Sequence, residues 1–239
     1  MLFCALKRGF ASLTVGGLLW AWGACADPVD PLGAVGRYYL PIPAPSTDTS
    51  PRTFFMNGQT YIVPRNYVES LSKNDDGTVS VISIRALLPD FTGLTKDTIR
   101  CGLNYSDPCS SRVVVIDLAQ GPFPTSGVQQ LSNAKGISHP DEREGPCGFK
   151  YYESFGSAEK GGVVFQFFFA RLADTSDLSF LRCAKPGSAF AKRCNARDNV
   201  GDGNSFYYNF DRGKLCEWSA IRSSSLSLIN SFRKGAKHE

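Results

Sequence analysis

Arg52-Thr53-Phe54-Phe55-Met56, then Asn57-Gly58, then Gln59-Thr60-Tyr61-Ile62-Val63 is the stretch that decides the fold. Two runs rich in aromatic and β-branched residues flank the dipeptide that best tolerates a type I′ turn, whose two central residues both need positive φ. A β-hairpin is predicted here. Pro64-Arg65-Asn66-Tyr67 ends it, because Pro64 has no ladder donor and Asn66 suits a turn. Further along the chain, Asp75-Asp76-Gly77 turns into a strand from Thr78 to Leu88, rich in Val79, Val81, Ile82 and Ile84. Arg112 to Leu118 is apolar enough for a central strand. Phe149 to Tyr152 and Gly162 to Leu172 read as a second hairpin, turning near Ser157 to Lys160. Phe180 to Cys183, Cys194 to Arg197 and Phe206 to Phe210 are three further short strands. Trp218, Ile221, Ser225, Leu228, Ile229 and Phe232 then recur at helical spacing, with Glu217, Arg222, Ser223 and Ser227 on the polar side. The expected fold class is α+β: mainly an antiparallel sheet of hairpins with a C-terminal amphipathic helix, stapled by disulfides.

Towards the N-terminus the character changes. Lys7 and Arg8, an apolar run from Phe10 to Trp22, and Ala24-Cys25-Ala26 before Asp27 follow the three-part grammar of a secretory signal peptide. The apolar run is shorter than the roughly 20 residues that span a bilayer. Residues 1–26 are therefore expected to be a signal peptide, with lipidation at Cys25 as the alternative. Residues 27–52 carry Pro28, Pro31, Pro41, Pro43, Pro45 and Pro51, an extended lead-in that cannot enter a sheet ladder for most of its length. Residues 53–239 are expected to form a single disulfide-containing domain, periplasmic or secreted, with no transmembrane anchor. It would hold Cys101, Cys109, Cys147, Cys183, Cys194 and Cys216. An even number in an exported chain reads as disulfides. Pairing Cys101 with Cys109 and Cys183 with Cys194 closes two short polar loops. Cys147 with Cys216 is then the long-range staple, although six cysteines leave other connectivities open.

Composition limits the function classes. The chain of 239 residues is 42% hydrophobic and 20% charged, ordinary globular material. Without Lys7 and Arg8 it has 24 basic against 22 acidic residues, too balanced for a nucleic-acid binder. No glycine-rich phosphate loop follows a strand and no zinc-ligand spacing occurs, so no cofactor or metal is expected. His139 is the one mid-chain base, on a loop without a nucleophile elbow, and Asp141, Glu142 and Glu144 interleave with Arg143 as a solvated charge patch would. They are the candidates for the alternative of a cell-envelope hydrolase. Asp198 to Asn204 is oxygen-rich like a calcium loop, but Val200 stands where a ligand is needed. Asn104-Tyr105-Ser106 is a formal glycosylation sequon. Tyr207 and Tyr208 alternate across a strand, and tyrosine suits interfaces.

The inventory favours binding over catalysis. Tyr61-Ile62-Val63-Pro64-Arg65-Asn66-Tyr67 after a hairpin, and Phe206 to Phe210 leading into Cys216-Glu217-Trp218 and the last helix, resemble small periplasmic proteins of Gram-negative bacteria. These include immunity proteins against toxins delivered by type VI secretion. The resemblance implies a periplasmic protein that binds a toxin and covers its active site. Arg65, Tyr67, Tyr207 and Tyr208 are the expected anchors, with Asp141 and Arg143 as a charged rim. A non-catalytic envelope ligand-binding protein is a further alternative.

Overall fold

The computed structural model describes residues 45–75, 77–103, 107–122, 142–154, 165–171, 178–187, 192–200 and 203–234. The expected signal peptide, Cys25, most of the lead-in, the sequon, the turn near Ser157 to Lys160, His139 and Asp141 lie outside the described residues.

Strands β1 (Pro51–Met56) and β2 (Gln59–Pro64) form the expected hairpin, with Met56 opposite Gln59. Asn57 and Gly58 take φ of 49° and 73°, as a type I′ turn requires. The hairpin is a two-stranded sheet of its own. Its inward side chains Met56, Tyr61 and Val63 are buried in the main core.

The second sheet is antiparallel and nine-stranded. Its strands are β3 (Val68–Lys73), β4 (Val79–Leu87), β5 (Val113–Ala119), β6 (Arg143–Glu144), β7 (Lys150–Ser154), β8 (Phe165–Arg171), β9 (Leu178–Ala184), β10 (Arg193–Asn199) and β11 (Ser205–Asp211). They lie in the order β3-β4-β5-β11-β10-β9-β8-β7-β6, each antiparallel to its neighbours. The apolar run of β5 is interior, as its composition demands. Edge strand β3 was not anticipated from the sequence. Its burial alternates, with Val68, Ser70 and Ser72 inward, but two of those three positions are serines and its pairing with β4 shifts register between Val68 and Ser70.

Helix α1 (Ile99–Leu103) and a 3₁₀ turn (Pro108–Arg112) are joined by the Cys101–Cys109 disulfide. Leu94 and Cys101 of this excursion pack with Leu87 and Val113 over one end of β4 and β5. Helix α2 (Trp218–Phe232) lies on the opposite face, which we call the inner face. There Trp218 Nε1 donates to Tyr208 Oη at 2.7 Å, and both side chains are wholly buried. Phe206 and Phe210 flank Tyr208 on the same face, each burial contributing about 1.5–3 kcal/mol. Beyond α2, Lys234 N donates to Thr60 O at 2.9 Å and binds the hairpin to the helix end.

Arg222 corrects the reading of α2 as having a simple polar side. It is buried, and its Nε donates to Asp198 Oδ2 of β10 at 2.8 Å, so the charge faces the sheet because a carboxylate is waiting there.

The three favoured cysteine pairs are all present. Cys183 and Cys194 are direct cross-strand partners on β9 and β10, while Cys147 and Cys216 join the approach to β7 with the approach to α2. Sequence separations of 69 for Cys147–Cys216 and 8 for Cys101–Cys109 give chain-entropy contributions of about 4 and about 2.5 kcal/mol. Removing Cys147–Cys216 by double alanine substitution should therefore lower the urea midpoint more than removing Cys101–Cys109. Equal losses would show that loop closure is not what the long staple contributes.

Candidate functional site

Because directly opposed residues in an antiparallel pair share a face, the register defines the outer face of the sheet. One row reads Asp117, Tyr207, Arg197 across β5, β11 and β10. The next reads Val115, Asn209, Asn195, Arg182, Phe167, Tyr152 from β5 to β7. Arg193 stands two residues from Asn195 on the same face. The disulfide enforces this parity: with Cys183 and Cys194 turned inward, Arg182, Arg193 and Asn195 must turn outward.

The row side chains hold one another in place. The Arg197 guanidinium lies 5.4 Å from the Tyr207 ring centroid, and that of Arg182 lies 4.6 Å from the Phe165 ring centroid. Each such cation–π contact contributes about 0.5–2 kcal/mol, rising as the pair is withdrawn from water. Arg193 donates to the Asn209 side chain and, at 3.0 Å, to its backbone oxygen. Phe167 stacks on Phe180, and Tyr152 on Phe169, both with centroids 5.4 Å apart. Burial pushes the Tyr207 phenol above its ordinary pKa; the Asp117 carboxylate adds to this, and Arg182, Asn209 and Arg197 oppose it. Burial likewise raises the Asp117 carboxyl, against the hydroxyl that Ser83 donates to it, with Glu69 adding to the rise and Arg197 opposing it. Arginine and tyrosine on a rigid sheet form a surface able to take up carboxylates and apolar contacts together.

The residues expected as anchors are mostly placed elsewhere. Tyr208 is a correction: it is wholly buried under Trp218, because adjacent strand residues face opposite ways and α2 covers its side. Tyr67 is half-buried, donates its hydroxyl to Phe91 O at 3.2 Å and meets Phe232 edge-on at 5.2 Å between centroids. Arg65 donates to Val68 O at 2.9 Å within its own turn. Arg143 lies in edge strand β6 and pairs with Glu153 at 3.2 Å. Asp141 is outside the described residues. Of the described members of the set, Tyr207 alone stands on the arginine-rich outer face.

Two other polar groups belong to the scaffold. Glu153 is buried on the inner face, where it accepts from Gln166 at 3.0 Å and Lys185 at 3.1 Å besides pairing with Arg143. Burial raises its pKa, but these donors and cations overcome that and hold it below the ordinary value. In the oxygen-rich loop, Asp198 is engaged by Arg222, and buried Asn204 donates to Tyr61 Oη at 3.2 Å. Gly201 and Asp202 lie outside the described residues. Among the described residues no three His, Cys, Asp or Glu side chains are grouped to hold a metal ion. Glu142 is engaged by Lys150 and by the Tyr152 hydroxyl, while Glu144 is exposed on β6.

No protein-family model and no curated protein matches the chain. Its fold is shared with solved structures. One is an immunity protein of the Stenotrophomonas maltophilia type IV secretion system, at TM-score 0.51 and 14% identity, covering 78% of this chain and 94% of that one. Another is the Neisseria meningitidis iron-regulated outer membrane lipoprotein FrpD, at TM-score 0.50 and 12% identity, covering 79% of this chain and 96% of that one. The resemblance to immunity proteins read from the sequence thus returns as a likeness of fold, with a type IV system in place of type VI.

The two perturbed carboxylates should act on stability with opposite signs. The lowered pKa of Glu153 contributes stability present above its unfolded value and lost as pH falls through the lower folded value. Asp117, raised, carries a penalty above its folded value that is relieved on acidification. In urea melts from about pH 3 to about pH 7, Glu153→Gln should lose stability at neutral pH and flatten the acid limb. Asp117→Asn should gain stability at neutral pH, with the gain fading towards the acid end. Matching pH profiles for both variants and the parent would contradict these assignments.

Proposed function

We propose that this chain is an exported cell-envelope binding protein, non-catalytic, that neutralises a toxin by occluding it with the outer face of the sheet. The observation that carries the reading is the set Arg182, Arg193, Arg197 and Tyr207, projected from adjacent strands whose facing is fixed by Cys183–Cys194. Arginine and tyrosine are the side chains that dominate binding energy at interfaces. Presentation from a cross-linked sheet reduces the entropy lost on association. Three disulfides suit an oxidising compartment, in keeping with the signal-like N-terminus. The likeness to an immunity protein and to an outer membrane lipoprotein supports an envelope setting.

The test is affinity capture with the mature, oxidised protein from the envelope and secretome of the cell that makes it, followed by mass spectrometry. Co-production of the captured protein with this chain then measures protection. One stoichiometric toxin is expected, with growth restored by this chain and affinity reduced about tenfold or more by Phe167→Ala or Arg197→Ala. Capture without protection, or binding indifferent to both substitutions, would contradict the reading.

A further inference from the structure

The three disulfides differ in their surroundings. Cys183 and Cys194 are wholly buried between β9 and β10. Cys101 is buried against Leu87, Leu94 and Val113, with Cys109 half-buried beside it. Cys147 and Cys216, by contrast, are both exposed. The space next to Cys147 is open, since a side chain built at Gly148 would meet nothing within 4 Å.

The backbone at the exposed pair differs as well. Phe149 N donates to Pro146 O at 3.2 Å, closing a turn whose central residues Cys147 and Gly148 take φ of 63° and 74°. Glycine and asparagine adopt that left-handed conformation readily, and cysteine does not. Cys216 lies in the 3₁₀ turn Arg212–Glu217 that leads into α2. Neither cysteine belongs to a strand, so parting them breaks no pairing of the sheet. A second, non-covalent link runs beside the disulfide: Phe149 meets Trp218 edge-on with centroids 5.4 Å apart. Each ring is two residues from its cysteine, which couples the state of the pair to the buried indole at the start of α2.

We propose that Cys147–Cys216 is a thiol–disulfide exchange site, at which the folded protein is reduced by an envelope dithiol of the CxxC class while its other two disulfides stay closed. A thiolate of the dithiol attacks one sulfur of the pair. The S–S bond breaks, a mixed disulfide forms, and the other cysteine leaves as a thiolate that takes a proton from water. The second thiol of the reductant, once deprotonated, attacks the mixed disulfide and frees the first cysteine. Two electrons and two protons pass to the protein, and the reductant departs as its own disulfide. Exchange selects the exposed pair because the attacking thiolate must reach a sulfur. Opening it releases the turn before β7 from the approach to α2, while the strand pairing and Cys183–Cys194 hold the sheet. The two segments keep their places in the fold, so the bond closes again when the reductant is withdrawn.

The test treats the full mature, oxidised protein, without denaturant, with dithiothreitol and separately with reduced thioredoxin as a protein dithiol. Thiols are trapped at timed intervals with N-ethylmaleimide and mapped by mass spectrometry. Cys147 and Cys216 should be labelled at least about tenfold faster than the other four cysteines. Trp20 and Trp22 fall within the expected signal peptide, so Trp218 is the one tryptophan of residues 27–239. In the dithiothreitol arm its emission should change at the rate of that labelling, and return when oxidised glutathione replaces the reductant before trapping. Cys147→Ser with Cys216→Ser should abolish the fast phase; where that variant fails to fold, the labelling order in the unsubstituted protein decides. Labelling of either other pair as early as Cys147 and Cys216 would overturn the proposal, as would opening of all three pairs together only when urea unfolds the chain. Fast labelling with unchanged Trp218 emission would overturn the coupling to α2.

Discussion

The hydrogen bond from Trp218 Nε1 to Tyr208 Oη seats the terminal helix on an interior strand, and the organisation of the molecule follows from it. Both groups are wholly buried, so the bond satisfies a donor and an acceptor that water cannot reach. It fixes which side of β11 is inside. With Tyr208 inward, Phe206 and Phe210 are inward and Tyr207 is outward. The register then carries that parity into β10 and β9, where Cys183–Cys194 locks it covalently.

The two faces consequently do different work. The inner face holds the aromatic core, the Arg222–Asp198 pair and the Glu153 cluster, all engaged within the protein. On the outer face Arg182 and Arg197 lie over aromatic rings and Arg193 donates to Asn209, interactions that orient the guanidinium groups. A buried ion pair ties two elements of the fold together, whereas a cation lying on a ring is held in one orientation on its own face. That contrast directs attention to β9–β11 rather than to the charged edge strand β6.

Much of this architecture was legible in the sequence. Asn57-Gly58 specified the hairpin, the apolar run of β5 specified an interior strand, and the cysteine spacing favoured the observed pairing without excluding the others. Strand β3 escaped because two of its three buried positions are serines, so its regular alternation carries little apolar signal. The site was less legible because its signal is parity rather than composition. Tyr207 and Tyr208 are chemically identical in the sequence, and only the helix packed on one side tells them apart. Arg222 shows the same limit, since its helical position reads as polar until Asp198 is found beneath it. The signal that would have found the outer face was available: Arg193, Asn195 and Arg197 alternate with Cys194 and Ala196, so an inward cysteine already implied outward arginines.

The division between adjacent tyrosines is the most direct test of the account. Tyr208→Phe and Tyr207→Ala, each measured for both urea stability and affinity for the captured partner, should separate cleanly. Tyr208→Phe should cost about 1–3 kcal/mol of stability, because it strands the Trp218 donor in the core, and leave the affinity of the folded protein unchanged. Tyr207→Ala should cost less stability and weaken binding by about tenfold or more. Lost affinity in folded Tyr208→Phe together with retained affinity in Tyr207→Ala would contradict the assignment of the outer face to recognition.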